Sequence, residues 1–295
     1  MHDYFLSLLL GIVEGLTEFL PVSSTAHLRI SEALLGIDLS NGFWKMYSIV
    51  IQLGAILSLP IYFRSRITRF LSTFPRGERE DRSALNHPLT LVFIAFLFTA
   101  IPAYLLTKVI GKNLESLKVM GAALLIGGII MWVVDSLFGT PRTGSRHQTE
   151  RMEEMTLFQA IWIGICQIFS AVFPGTSRSM STITAGQLAG MSRASALEFS
   201  FFLSMPTMAA ATGYELLKTL RPRHGTGEAV LGAMPSNSHE WIILLIGFVV
   251  SFIVALGVVA WFMNWVRRRG FAPFAIYRII VGIAVLVWAM RGNLV

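Results

Sequence analysis

Apolar residues run through this chain in blocks of about twenty, cut by short polar stretches, and two blocks are broken part-way by a proline and a cluster of hydroxyls. Residues 3–20 read as a short apolar helix that stops at Pro21, and Ser23, Ser24 or Thr25 is placed to cap a second short helix running to residue 36. Neither piece alone comfortably spans a bilayer. Full spans are predicted at 44–63, at 88–107 with Pro102 as a kink, and at 117–138. Residues 156–173 then repeat the opening: an apolar helix, Pro174-Gly175, hydroxyls with Arg178, and a short helix to residue 190. Spans at 197–217, 240–266 and 273–291 complete the chain, and the Gly/Pro/Ser-rich stretch 218–239 reads as a surface loop.

The echo between the two broken segments holds residue by residue. At a constant offset of 153, Gly11 falls on Gly164, Ile12 on Ile165, Glu14 on Gln167, Pro21 on Pro174, Ser24 on Ser177 and Ile30 on Ile183. A second echo follows in the same order, Ile56-Leu-Ser-Leu-Pro60 against Phe202-Leu-Ser-Met-Pro206. The pattern predicts a single all-α membrane domain over 1–295, built from two repeats, 1–150 and 151–295. Each repeat is a broken re-entrant helical hairpin followed by three transmembrane helices, giving six full spans and two re-entrant elements. Three spans is an odd number, so the repeats lie in opposite orientations, an inverted-topology architecture.

Composition sharpens this picture. Of 295 residues, 54% are hydrophobic and 14% charged, with a mean hydropathy of +0.63, well beyond a soluble domain. Residues 155–177 and 241–266 carry no Asp, Glu, Lys or Arg. The net charge of +7 would suit nucleic acid in a soluble protein. Here the basic residues gather in the loops 64–87, 139–155 and 267–272, which all fall on one side of a six-span arrangement. Orientation explains them, with that side cytoplasmic, and nucleic acid is not a partner. Cys166 is the single cysteine, which excludes a disulfide and a cysteine metal centre.

Against this background, Glu14-Gly-Leu-Thr-Glu18-Phe-Leu-Pro21-Val-Ser23-Ser24-Thr25-Ala-His27 demands a reason. Glu14 and Glu18 are four apart, on one helical face, where like charges repel unless a cation or a shared proton lies between them. Irregular backbone at membrane depth is tolerated only where protein buries it or water reaches it. Two hairpins entering from opposite faces bring Pro21 and Pro174 together near the midplane, and each presents the amide-rich start of a short helix, a site for phosphate. Arg178 adds a charged fork suited to phosphate oxygens. Carboxylates beside phosphate point to an oxygen-ligated divalent cation, and a serine beside a histidine to a nucleophile with an acid–base partner.

Both motifs, the acidic stretch from Glu14 to His27 and Pro174-Gly-Thr-Ser-Arg-Ser-Met-Ser-Thr182, resemble the two signatures of the bacterial undecaprenyl-diphosphatase family, the bacitracin-resistance phosphatases. The resemblance covers nearly the whole chain, including Ile51-Gln-Leu-Gly-Ala-Ile56, Glu198-Phe-Ser-Phe and Pro273-Phe-Ala-Ile-Tyr-Arg278. It implies removal of the terminal phosphate of undecaprenyl diphosphate, a polyprenyl diphosphate lipid, at a site open to the outer, periplasmic face of the bacterial plasma membrane. It also implies Mg²⁺ or Ca²⁺ and a homodimer. Carried over by position, Glu14 and Glu18 are the metal ligands, and Glu18, Ser24, His27 and Arg178 the catalytic set. Ser23, Thr25, Ser177, Ser179, Thr182 and Gln52 are candidate phosphate-binding residues. Ala26 and Met180 stand where the family often has glycine.

Ser24 is the first choice for nucleophile and His27 for its proton acceptor, with the reverse roles or a directly activated water left open. Arg178 has a second reading as an ion-pair partner of Glu14 or Glu18. Arg278, near the basic cluster Arg267–Arg269, is expected to snorkel to the interface. A polyprenyl-phosphate transporter or flippase without phosphatase chemistry is the alternative, since transporters share this architecture.

Overall fold

The computed structural model describes residues 2–37, 41–77, 83–106, 116–139, 148–220 and 235–291. Among these residues the only regular elements are helices: α1 (His2–Thr17), α2 (Ser24–Leu34), α3 (Gly42–Tyr62), α4 (Arg64–Thr73), α5 (Pro88–Leu105), α6 (Leu117–Phe138), α7 (Leu157–Val172), α8 (Arg178–Leu188), α9 (Arg193–Leu220), α10 (Ser238–Arg269) and α11 (Ala272–Met290). Most of the expected loop 221–234, and the loop residues Arg79, Arg82, Arg142 and Arg146, lie outside the described residues.

By length and composition, α3, α5, α6, α10 and α11 can each cross a membrane. The fourth expected span, α9, is long at 28 residues but is not among them. Its polar side chains explain this: Ser200, Ser204 and Thr212 are buried within the protein, where packing rather than hydropathy holds the helix. It lies against α3, α5, α8 and α10 and supplies Leu197, Phe199, Phe201, Phe202 and Leu203 to the core. By contrast, α1 and α7 have 16 residues each, about 24 Å of helix, short of the ~30 Å hydrocarbon core.

The two broken segments pack in matching ways. α1 lies against α10, and α7 against α5. At the crossings, Gly11 approaches the carbonyl of Gly247 so closely that a Cβ would strike it, and Gly164 does the same at the carbonyl of Ala95. Without water to expel between helices, such close backbone approach is what makes association favourable in a bilayer. Hydroxyls complete both seams. Ser7 Oγ donates to the Ile243 carbonyl at 2.7 Å, and Thr99 Oγ1 to the Gly164 carbonyl at 2.8 Å. The closing pair, α6 and α11, meets through Gly121, Gly128 and Gly282.

One expected loop begins as a helix. Arg64, Arg66 and Arg69 fall on α4 because Phe63, Ile67 and Phe70 recur at helical spacing and pack against the core while the arginines face outward. Arg66 then reaches Glu153 at 2.6 Å and Glu198 at 2.8 Å, beside a cavity of about 430 Å³ that Arg151 and Arg267 also line. Glu198 is therefore part of this ion-pair cluster. Burial alone would push the Glu153 carboxyl up, but the hydrogen bonds from Arg66, a backbone hydrogen bond and the charges of Arg66 and Arg151 together outweigh it and hold it below the ordinary carboxylate range.

Two outcomes are expected. Gly282→Leu overpacks the α6–α11 seam, costing about 1–3 kcal/mol; Gly257→Leu, at a position with nothing within 4 Å of a new Cβ, leaves the melting temperature in detergent unchanged. A depressed carboxylate lends stability that is complete above its unfolded pKa and lost as pH falls through the folded one. Acidification from about pH 5 to 3 therefore lowers the melting temperature more in the native chain than in Glu153→Gln.

Candidate active site

The chain between α1 and α2 turns through Glu18–Val22, and that between α7 and α8 through Phe173–Ser177. Both short helices are preceded by a serine in left-handed backbone, Ser23 at φ +74° and Ser177 at φ +70°, an unfavourable conformation for a residue with a side chain. These caps correspond at an offset of 154, one more than the 153 that relates Gly11 to Gly164. One more residue thus separates Ser177 from Gly164 than Ser23 from Gly11, because α7 runs further past its glycine than α1 does, and Gly175 at φ +93° accommodates the tighter turn that follows. In consequence Ser24, the first helical residue of α2, is matched in space by Arg178, the first of α8.

The two breaks meet. Arg178 forms an ion pair through Nη2 with Glu18 Oε1, and Ser24 Oγ donates to the other carboxylate oxygen, Oε2, at 2.5 Å. Ser179 Oγ donates to the Leu20 carbonyl at 3.1 Å, a second link from one break to the other. Glu18, buried at 5% exposure, is thus the junction of a serine from the first break and a guanidinium from the second. Glu14 is fully buried one turn earlier, and neither of its oxygens has a hydrogen-bond donor among the described residues. Its counterpart Gln167 instead carries a neutral side-chain amide, 3.1 Å from Thr99 Oγ1, so the paired acids belong to the first break alone.

The remaining expected residues divide. Ser177 Oγ accepts from the Met180 amide at 3.3 Å and caps α8, whereas the Ser23 side chain makes no cap bond, which leaves the first amides of α2 open. Thr182 Oγ1 lies 2.6 Å from Ser200 Oγ of α9. Thr25 is exposed and Gln52 half-buried on α3, and neither is hydrogen-bonded to the cluster. His27 does not touch Ser24: its Nδ1 lies 2.7 Å from the Ser23 carbonyl and its Nε2 2.7 Å from the Tyr277 hydroxyl.

The comparisons with known proteins fit this geometry. The family described as bacitracin resistance protein BacA matches residues 7–284. The chain belongs to the BacA family. It is 67% identical over 291 residues to the undecaprenyl-diphosphatase of Koribacter versatilis, covering 99% of this chain and all of the relative. It is 41% identical over 278 residues to that of Caldanaerobacter subterraneus, 94% of this chain and 93% of the relative. With the undecaprenyl-diphosphatase of Sorangium cellulosum it shares 44% over 286 residues, 97% of this chain and 86% of the relative.

In this BacA-family chain one residue contradicts the expectation from sequence. Arg278 does not snorkel: it is fully buried and ties both breaks together. Its Nη1 donates to the Pro21 carbonyl at 3.0 Å. Its Nη2 is shared among the carbonyls of Thr176 at 2.9 Å, Ala123 at 3.1 Å and Gly175 at 3.2 Å. Gly127 on α6 leaves the room, since a Cβ there would collide with the guanidinium. The signal was available. Arg278 lies six residues into an apolar helix, about 9 Å from its start, where an ionisable residue is functional by default. Arg278→Met orphans the carbonyls of Pro21, Gly175 and Thr176 at roughly 1–3 kcal/mol each, and Arg278→Lys restores only part of the contacts. The expected order of melting temperature in detergent is native, then Lys, then Met.

Proposed function

We propose that this chain hydrolyses undecaprenyl diphosphate to undecaprenyl phosphate and inorganic phosphate, recycling the carrier lipid used in cell-wall synthesis. The observation that carries the reading is the junction at Glu18, where a serine hydroxyl and a guanidinium are held by opposite oxygens of one buried carboxylate. The names of the relatives, undecaprenyl-diphosphatase in each case, agree with it. A transporter without chemistry has no use for a hydroxyl aimed at a carboxylate, and the relatives do not favour it.

In this proposal the diphosphate lies between the open amides of α2 and the guanidinium of Arg178, which neutralises charge on the terminal phosphoryl group. Ser24 Oγ attacks the terminal phosphorus. Its proton passes to Glu18, the acceptor it already faces, and the bond to the bridging oxygen breaks to release undecaprenyl phosphate. Water then cleaves the phosphoserine, giving inorganic phosphate and restoring the hydroxyl. His27 is kept as the second acid–base group, drawn in through Nε2. Ser179 and Thr182 hold the second break in place and Ser177 caps it, while Ser23, Thr25 and Gln52 stand as candidate phosphate contacts.

A divalent cation, Mg²⁺ or Ca²⁺, fits the acidic pair. Glu14 has two buried oxygens without a donor, and Glu18 lies next to it. No group of three or more His, Cys, Asp or Glu among the described residues is arranged to hold a metal, so phosphate oxygens and water would complete the shell, as is usual for Mg²⁺. When bound, the cation supplies charge neutralisation at the phosphate.

The same reading takes α9 as the sixth span, buried by its neighbours, and the chain as two inverted repeats. The paired crossings of α1 on α10 and α7 on α5 support it, as do the matching left-handed caps. By the positive-inside rule, the α4 end and Arg267–Arg269 face the cytoplasm and the site opens to the outer face of the plasma membrane. A homodimer completes the proposal on the family resemblance.

Purified protein in detergent should release phosphate from undecaprenyl diphosphate, and a chelator should suppress the release. Ser24→Ala and Glu18→Gln are each expected to lower kcat by about 10²–10⁴-fold, and quenched turnover should trap phosphate on Ser24. Activity retained in Ser24→Ala removes the covalent scheme, and no release by the native chain removes the function.

A further inference from the structure

The two breaks share one contact that separates the structural part of His27 from the rest. Four residues after each left-handed cap, a side chain turns back to the cap's carbonyl. In the second break Ser181 Oγ donates to the Ser177 carbonyl at 3.1 Å, and in the first His27 Nδ1 meets the Ser23 carbonyl at 2.7 Å. A serine suffices for that bond. What histidine adds is Nε2, whose one hydrogen-bond partner among the described residues is the hydroxyl of Tyr277, at 2.7 Å.

The proton positions follow from the partners. A carbonyl oxygen only accepts, so Nδ1 carries the hydrogen, and Nε2 of the neutral ring is left with its lone pair. The Tyr277 hydroxyl therefore donates to Nε2. The two rings are nearly parallel, 14° apart with centroids separated by 5.6 Å, which aims the hydroxyl at the edge of the imidazole. Tyr277 is itself fixed, because the next residue on α11, Arg278, is bonded to four carbonyls and sets the rotation of the helix.

We propose that Tyr277 is a positioning residue for His27, fixing the orientation of the imidazole and presenting Nε2 as the reactive nitrogen in the Nδ1–H tautomer that the Ser23 carbonyl sets. The phenol suits both charge states: it donates to the neutral ring, and its oxygen accepts once Nε2 is protonated. Tyr277 is 43% exposed, so once Nε2 is protonated an incoming phosphate oxygen can take its place there and accept that proton's hydrogen bond without disturbing the Nδ1 anchor. The inference rests on the proposed role of His27 in hydrolysis and adds the residue that prepares it.

The test uses the full chain with ¹⁵N-labelled histidine, the His27 signals being assigned by comparison with His27→Asn. The native protein is expected to show a protonated Nδ1 and an acceptor-type Nε2. Tyr277→Phe should keep Nδ1 protonated against the Ser23 carbonyl but move the Nε2 resonance to that of an unbonded acceptor, lower kcat by about tenfold, the rate equivalent of one hydrogen bond, and leave KM within twofold. In a His27→Asn background the same change should cost nothing further. Unchanged ¹⁵N signals or an unchanged kcat in Tyr277→Phe overturns the proposal, as does a tenfold loss that persists without His27. Should the Phe variant not fold, global 3-fluorotyrosine labelling keeps the shape and makes the phenol a stronger donor: the His27 Nε2 resonance must then move, and a static one overturns the proposal. Absence of phosphate release by the native chain defeats the function proposed above, while the ¹⁵N experiment still decides the positioning.

Discussion

A helix broken inside a bilayer leaves carbonyls and amides that hydrocarbon cannot satisfy, and this protein has two such breaks to settle at once. Arg278 settles them with a single guanidinium, which collects carbonyls from Pro21 in the first break, from Gly175 and Thr176 in the second, and from Ala123 of α6. A buried arginine is costly unless its donors are used. Here Nη1 and Nη2 are used by carbonyls, while Nε has no partner among the described residues, so the bonds offset only part of the cost of burying the charge. The arrangement also explains why α6 and α11 pack through glycines: Gly127 makes space for the head group, and Gly121, Gly128 and Gly282 let α11 come close enough to deliver it.

With the backbone held, the side chains of the breaks can be used for chemistry. Glu18 receives Ser24 on one oxygen and Arg178 on the other, so one residue from each break is oriented by the same carboxylate. The two breaks supply different parts. The first brings the acids, the serine and the histidine, and leaves the amides of α2 open; the second brings the guanidinium and caps its own helix with Ser177.

Much of this was legible in the chain itself. Long apolar blocks and proline breaks fix spans closely, as α6 at Leu117–Phe138 shows, because a bilayer constrains length and polarity along one dimension. α9 fits that pattern less well, since Ser200, Ser204 and Thr212 are buried inside the protein, where packing holds the helix, rather than avoided. Arg178 with Glu18 was readable as a pair because buried charges seek opposite charges. Arg278 was misread because its partners are backbone carbonyls, which have no sequence signature, and its closeness to Arg267–Arg269 suggested an interfacial role. The partners of His27 were hidden for a related reason: Tyr277 lies 250 residues away, and only the rotation of α11 brings it near. The one-residue difference between the breaks was likewise invisible, since the constant offset matched Ser24 to Ser177 by identity while the backbone matches Ser23 to Ser177.

The central claim is that the two breaks are fastened to each other through Glu18 and Arg178. The most direct measurement is a double-mutant cycle on unfolding in detergent, with Glu18→Gln, Arg178→Gln and the pair. If the bond joins the breaks, the two changes are non-additive, with a coupling of about 1 kcal/mol or more; additivity within about 0.5 kcal/mol would contradict the account.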